Sequence, residues 1–298
     1  MSEHEQAHKK ASGDPEEEDK SAEGETEVDL NHRERRDARR REAPSAGVVF
    51  EAIRAEAESE LKRPLVGLAF SGLAAGLSMG FSFVAMTLLA VYTPDSSWQP
   101  IVTSLGYSMG FLFVILGRQQ LFTENTLTPV LEVLRVRNRE TVSRTLKLWG
   151  VVLLANIVGT AIFAAVMADV HVLPDSMRSA MEKISAGEYE ADFLTMMIRA
   201  IFAGWLVALM LWLMPAAETA RVGVIIIVTY LIGLAHFPHI IAGSVAALYG
   251  VFSGVHSVGD YAGTFFLPTL IGNMIGGILM VAVINYAQVA YSDSSKQS

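Results

Sequence analysis

The chemistry open to this chain sits in two short clusters, Leu121-Phe122-Thr123-Glu124-Asn125 and His236-Phe237-Pro238-His239. Each interrupts an apolar stretch. Histidine, with an unperturbed pKa of ~6.5, exchanges a proton near neutral pH. An ionisable side chain inside an apolar span is a functional candidate by default. His236 and His239 are three residues apart, but Pro238 lies between them, so they need not share a helical face. Thr123 offers a hydroxyl hydrogen bond to an anion or to an imidazole. Structural roles compete with these. A neutral histidine can bond a carbonyl freed by Pro238, and a loop threonine can cap its own backbone. A metal centre fits poorly, because two histidines are too few ligands, no carboxylate adjoins them and the chain has no cysteine. Phe111, Phe122 and Phe237 are candidate apolar constrictions, although aromatics in such helices more often pack. With no nucleophile–base pair and no metal cluster in view, the chain does not read as an enzyme, and no cofactor is implied.

The segments that must position these clusters are strongly apolar. Of 298 residues 51% are apolar, and runs free of Asp, Glu, Lys and Arg cover 64–94, 96–117, 148–168, 200–217, 222–259 and 261–292. A spanning helix needs ~20 mostly apolar residues, so these runs predict six spans. Soluble helices keep charge on one face, whereas these are apolar all round. The second run meets Arg118-Gln119-Gln120 and resumes as a short apolar segment to Leu134, which predicts a helix, a loop and a half-helix. The fifth run is long enough to cross with a break at Pro238, His239 and Gly243. The expected fold class is an all-α integral membrane protein of six transmembrane helices with spans 2 and 5 broken.

Lys and Arg set the orientation of such a protein. They crowd the segment before span 1 (Arg33 to Arg41, then Arg54, Lys62 and Arg63), the 2–3 loop (Arg135, Arg137, Arg139, Arg144, Lys147) and the 4–5 loop (Arg221). The 1–2 loop has none, the 5–6 loop has only Asp260, and the 3–4 loop is mainly acidic, including Glu182, Glu188, Glu190 and Asp192. The alternation places both termini in the cytoplasm; the expected location is the inner (plasma) membrane. The first span begins beyond residue 60, too far in for a cleavable signal peptide. Residues 1–46, with 14 acids and 9 bases, read as a disordered charged cytoplasmic tail. Its Arg-rich run fits a topology determinant facing anionic headgroups better than a nucleic-acid patch. Residues 47–63 suit an amphipathic interfacial helix, residues 64–291 the six-helix channel domain, and residues 292–298 a cytoplasmic tail.

A weak internal repeat joins the two clusters. Asn-x-x-Gly lies mid-span at 156–159 and 273–276, 33 residues after Thr123 and 34 after His239. Three spans per half give the halves opposite orientations, the inverted-repeat plan of many channels and transporters. Non-helical backbone at membrane depth is tolerated only where buried in protein or lining a wet cavity. An interrupted helix also presents unpaired N–H groups and a positive dipole end, which favour an anion. Arg199, near the outer end of span 4, and Asn156 are secondary candidates.

In this order the residues resemble the formate/nitrite transporter family over roughly residues 65–290. The resemblance is carried by Leu121-Phe122-Thr123, Gly204-Trp205-Leu206-Val207 with Trp212, Phe237-Pro238-His239-Ile240-Ile241-Ala242 and Pro268 to Gly277. It implies pentamers of six-helix protomers with an aquaporin-like fold. Each protomer has its own pore, and a central histidine helps small monovalent anions of weak acids through. That histidine would be His239, with His236 as the competing register; Leu121, Phe122 and Thr123 would form the gating loop, and Asn273 matches the sixth-span asparagine. Three positions depart from the family's pattern. Pro238 replaces a glutamate, Gly243 an asparagine four residues after the histidine, and Gly204 an asparagine of the fourth span. These mark a divergent branch and leave formate or nitrite in doubt as the substrate.

The leading reading is a membrane channel or transporter for small monovalent anions. Its partners would be that anion, the lipid bilayer and further copies of the chain, with no nucleic acid. The runner-up is an aquaporin-like neutral-solute channel, although the asparagines here are followed by Ile157 and Met274 rather than Pro-Ala. A third reading is a non-transporting membrane protein that recruits partners through its charged tail.

Overall fold

The computed structural model describes residues 44–169 and 173–288, and among them every regular element is helical. The elements are α1 (Ala46–Leu61), α2 (Leu65–Tyr92), α3 (Gln99–Leu116), α4 (Thr128–Val136), α5 (Arg139–Ala168), α6 (Asp175–Gly187), α7 (Phe193–Ala217), α8 (Arg221–Leu234), α9 (Ala242–Phe252) and α10 (Val258–Gln288). Turns of π-helix at Tyr261–Phe266 and Ile278–Val283 punctuate α10. By length and composition, α2, α3, α5, the joined α7–α8 and α10 can each cross a membrane. Their outward faces carry large apolar side chains such as Phe70, Phe81, Phe113, Leu154, Ile198 and Ile227. The tail expected over residues 1–46 lies, for 1–43, outside the described residues, as do 292–298.

Small residues let the helices pair closely. Gly76 of α2 faces the backbone of Asn156 on α5, and Gly204 of α7 faces that of Asn273 on α10. At both sites a Cβ would overlap the asparagine's carbonyl oxygen. With no strong hydrophobic force between helices in lipid, this close backbone approach drives association. Gly204 is therefore a packing residue, and its lack of a side chain is what brings α7 onto α10.

The two interruptions share one construction. Helix α3 is C-capped by Gly117 and α8 by Ala235, and the next residue of each, Arg118 or His236, takes the left-handed conformation (φ 51° and 50°). One residue on, Gln119 N–H donates back to Val114 O (2.9 Å) and Phe237 N–H to Ile232 O (3.0 Å). This is the six-to-one bond of a Schellman cap, a motif that satisfies the last carbonyls of a helix. After the break the chain re-enters helix as α4, through a short 3₁₀ turn at Glu124–Thr126, or directly as α9.

Helix α1 is N-capped by Ser45, whose side chain accepts from Val48 N–H at 3.4 Å. Its buried face, Val49 and Ile53, joins a cluster with Leu127, Val130 and Leu131 from the start of α4 and Ala208 of α7. Glu60 ties the helix to the first break, accepting from Gln120 Nε2 (2.7 Å) and Thr128 Oγ1 (3.2 Å). Burial pushes the Glu60 carboxyl above the usual carboxylate range, against the lowering effect of those two hydrogen bonds.

Candidate functional site

An asparagine side chain holds each break open. Asn156 Oδ1 accepts from Phe122 N–H (2.9 Å), while its Nδ2 donates to Gln120 O (2.9 Å) and Gly72 O (2.7 Å). Asn273 repeats the pattern on the other half. Its Oδ1 accepts from Ile240 N–H (2.8 Å), and its Nδ2 donates to Pro238 O (3.0 Å) and Ala200 O (2.8 Å). Both side chains are fully buried. One amide side chain thus replaces two backbone hydrogen bonds that the interrupted helix gives up, and it anchors the loop to a neighbouring helix. The spacing between break and asparagine, seen in the sequence as a weak repeat, is the length of chain this clamp requires.

Between the clamps, the two breaks meet through His239 and Thr123. His239 Nε2 lies 2.7 Å from Thr123 Oγ1, and both residues are fully buried. On the other edge of the ring, Nδ1 accepts from Ala242 N–H (3.1 Å) and Ile241 N–H (3.3 Å) at the start of α9. A nitrogen that accepts carries no proton, so this network assigns the neutral tautomer with hydrogen on Nε2, donating to Thr123. The threonine hydroxyl hydrogen then remains available to a solute. Phe111 closes the space, its ring edge-on to His239 at 5.0 Å and 70°, with Tyr107 beyond it at 5.4 Å.

The expectation that unpaired N–H groups would meet an anion directly is corrected here. The N–H groups of Phe122, Ile240, Ile241 and Ala242 are all taken by Asn156, Asn273 and His239. The Thr123 hydroxyl hydrogen is the side-chain donor left there, with His239 Nε2–H engaged to the same oxygen.

The remaining candidates fall around this centre. Leu121 and Phe122 are buried in the first break, with Phe122 edge-on to Trp149 at 6.2 Å. Phe237 is half-buried and stacks on Phe202 at 5.2 Å. His236 is exposed and serves as the left-handed cap residue, so the structure does not bring it to Thr123. Arg199 is exposed on α7 and takes no part. Among the described residues, no group of three His, Cys, Asp or Glu side chains converges to hold a metal ion.

Several groups escaped sequence reasoning. A cavity of about 580 Å³ reaches Gln120 and Glu124 from the α1 side, lined also by Glu56, Glu60, Arg63 and Arg118. Glu124 is adjacent to Thr123 in sequence, and its Oε1 is buried without a hydrogen-bond partner. At the other end, Glu188, between α6 and α7, approaches Gly243 one turn beyond His239. Nothing in the acidic 3–4 segment set Glu188 apart from its neighbours.

A helical bundle whose halves meet at paired, side-chain-clamped breaks has the architecture of a multi-pass membrane channel or transporter. The family model described as formate/nitrite transporter matches residues 47–287, and the chain belongs to that family. It is 41% identical over 252 residues to the inner membrane protein YfdC of Escherichia coli (strain K12), covering 85% of this chain and 81% of the relative. A shorter match, 34% identical over 108 residues, links it to the formate channel FocA of Haemophilus influenzae, over 36% of this chain and 37% of the relative. Among solved structures it resembles an FNT family ion channel, with TM-score 0.72, 18% identity and coverage of 80% and 98% of the two chains. It also resembles a pentameric formate channel with formate bound, with TM-score 0.64, 20% identity and coverage of 76% and 98%.

Proposed function

We propose that this chain forms a channel for small monovalent anions of weak acids, with the His239–Thr123 pair at the centre of the pore. The observation that carries the reading is the burial of two hydrogen-bond donors, at 2.7 Å, between two clamped helix breaks. A bare ion in a dry medium faces a Born penalty of tens of kcal/mol. Donors and dipole ends aimed at one point reduce that penalty without adding a fixed cation that would trap the ion. Thr123 supplies a hydroxyl hydrogen, and His239 fixes its orientation and can turn its own Nε2–H to the anion. Leu121, Phe122, Phe237 and Phe111 are the apolar constrictions on either side, and Asn273 with Asn156 keeps the breaks in register.

The same proposal includes six crossings, the fifth formed by α8, its break and α9. Residues 64–291 are the channel domain, and residues 1–46 and 292–298 lie on the cytoplasmic side. The alternating distribution of Lys and Arg supports that orientation. The name of the E. coli relative supports the inner membrane, and the pentameric formate channel supports a homopentamer with one pore per protomer.

Stopped-flow measurements on liposomes with formate, nitrite, lactate and glycerol at several pH values test this. Anion flux should rise with acidity, and His239→Asn should reduce it about tenfold, as expected for loss of ~1.4 kcal/mol at the barrier. Unchanged flux in that variant would reject the histidine assignment. Glycerol flux without anion flux would favour the neutral-solute reading. Native mass spectrometry that finds only monomers would contradict the pentamer.

A further inference from the structure

On the α6 side, an acid lies beside the residue one turn beyond His239. Glu188 Oε2 lies 3.0 Å from where a Cβ of residue 243 would stand, beside the ring of Phe265. Gly243 in turn bonds back to the His239 carbonyl (2.8 Å), so this carboxyl reaches into the space one helical turn above the central histidine. The space exists because position 243 is glycine. A larger residue there would meet both Phe265 and Glu188.

Among the described residues, no positive charge acts on the Glu188 carboxyl. Tyr107 of α3 feels its field. So does Tyr189, which also feels Tyr261 and Asp260 of α10. Tyr189 donates its hydroxyl to Ala247 O on α9 (2.7 Å) and stacks on His256 at 3.8 Å. Tyr261 is bonded to Ser244 at 3.0 Å. On α6, Arg178 pairs with Asp175 at 3.4 Å, and Glu182 and Arg178 both act, with opposite sign, on Tyr249 of α9. The groups that Glu188 itself acts on are the hydroxyls of Tyr107 and Tyr189. Burial alone pushes the Glu188 carboxyl up to about 8.

We propose that Glu188 is a specificity-determining residue of the pore, a carboxyl that admits an anion to His239 while protonated and repels it once ionised. This rests on the anion-channel reading above. A protonated carboxyl is also a hydrogen-bond donor, so below its titration point Glu188 contributes a third donor to the anion's path. Above that point it places a negative charge roughly 5–9 Å from the central pair, one helical turn along α9. At that range, with the effective dielectric of partly buried sites, the repulsion lowers anion entry by at least about tenfold.

The test is uptake of labelled formate into proteoliposomes at equal pH on both sides, from pH 6 to pH 9, for the wild type, Glu188→Gln, Glu188→Asp and His239→Asn. The glutamine variant should match the wild type at pH 6 and exceed it about tenfold at pH 9, while Glu188→Asp keeps the fall at high pH. If formate uptake depends on His239 but the Glu188→Gln profile follows the wild type at every pH, the Glu188 assignment is overturned and the channel reading stands. If the wild type passes none of formate, nitrite and lactate at any pH, both are overturned together. Glu188→Gln is nearly isosteric, and its detergent-solubilised assembly state, checked beside the wild type, separates loss of function from misfolding.

Discussion

Replacing Asn273 with leucine keeps the side-chain volume and removes every hydrogen bond it makes. Three backbone groups lose their partner: Ile240 N–H, Pro238 O and Ala200 O. Ala200 lies inside α7, so its carbonyl retains the helical bond, and the first two become buried orphans. At ~1–3 kcal/mol for each buried unsatisfied group, the expected loss of stability is ~2–6 kcal/mol. Asn156→Leu has the same arithmetic. It orphans Phe122 N–H and Gln120 O, while Gly72 O keeps its helical partner inside α2. Scaling from domains of comparable size, each variant should unfold roughly 5–15 °C below the wild type. Fluorescence-detected size exclusion after heating in detergent measures this. Anion flux should be lost in both variants, because the His239–Thr123 pair depends on both breaks staying in register. A shift of less than about 2 °C in either variant, or loss in only one half, would refute the idea of two equivalent clamps.

Gly204→Ala and Gly76→Ala each put a methyl against a partner helix's carbonyl. Each should cost about 1–3 kcal/mol through overpacking, seen as reduced thermal stability in the same assay, whereas Gly67→Ala, with open space around it, should not. His236→Gly should instead stabilise by about 1 kcal/mol, since the left-handed position at φ 50° favours glycine. It should leave anion flux intact, and a drop in flux like that of His239→Asn would overturn the cap assignment.

How much of this was legible beforehand varies by residue. The break before Thr123 could be read from Arg118-Gln119-Gln120, because a charge and two amides seldom lie inside an apolar span. The break at His239 was legible in Pro238, which cannot continue a hydrogen-bond ladder. The resemblance already favoured His239 over His236, and the left-handed cap adds a geometric difference between them: His236 is exposed and His239 buried. Gly204 and Gly243 looked like losses of polar groups. In the fold, Gly204 makes close helix contact, and Gly243 makes room for a carboxyl from a distant segment. Glu60 and Glu188 were invisible as site residues, since each lies in a run of similar charges and only its spatial neighbours distinguish it.

The sequence by itself determined the membrane class, the apolar spans, the two interruptions and the family, because length, hydropathy, helix breakers and ordered motifs are local or nearly local properties. Tertiary structure alone decided that Asn156 and Asn273 clamp the breaks, that His239 meets Thr123, and that Glu188 stands above them. Those contacts join residues 33 to 116 positions apart. Their existence depends on helices approaching to backbone distance, a property of pairs of surfaces that no single stretch of chain contains.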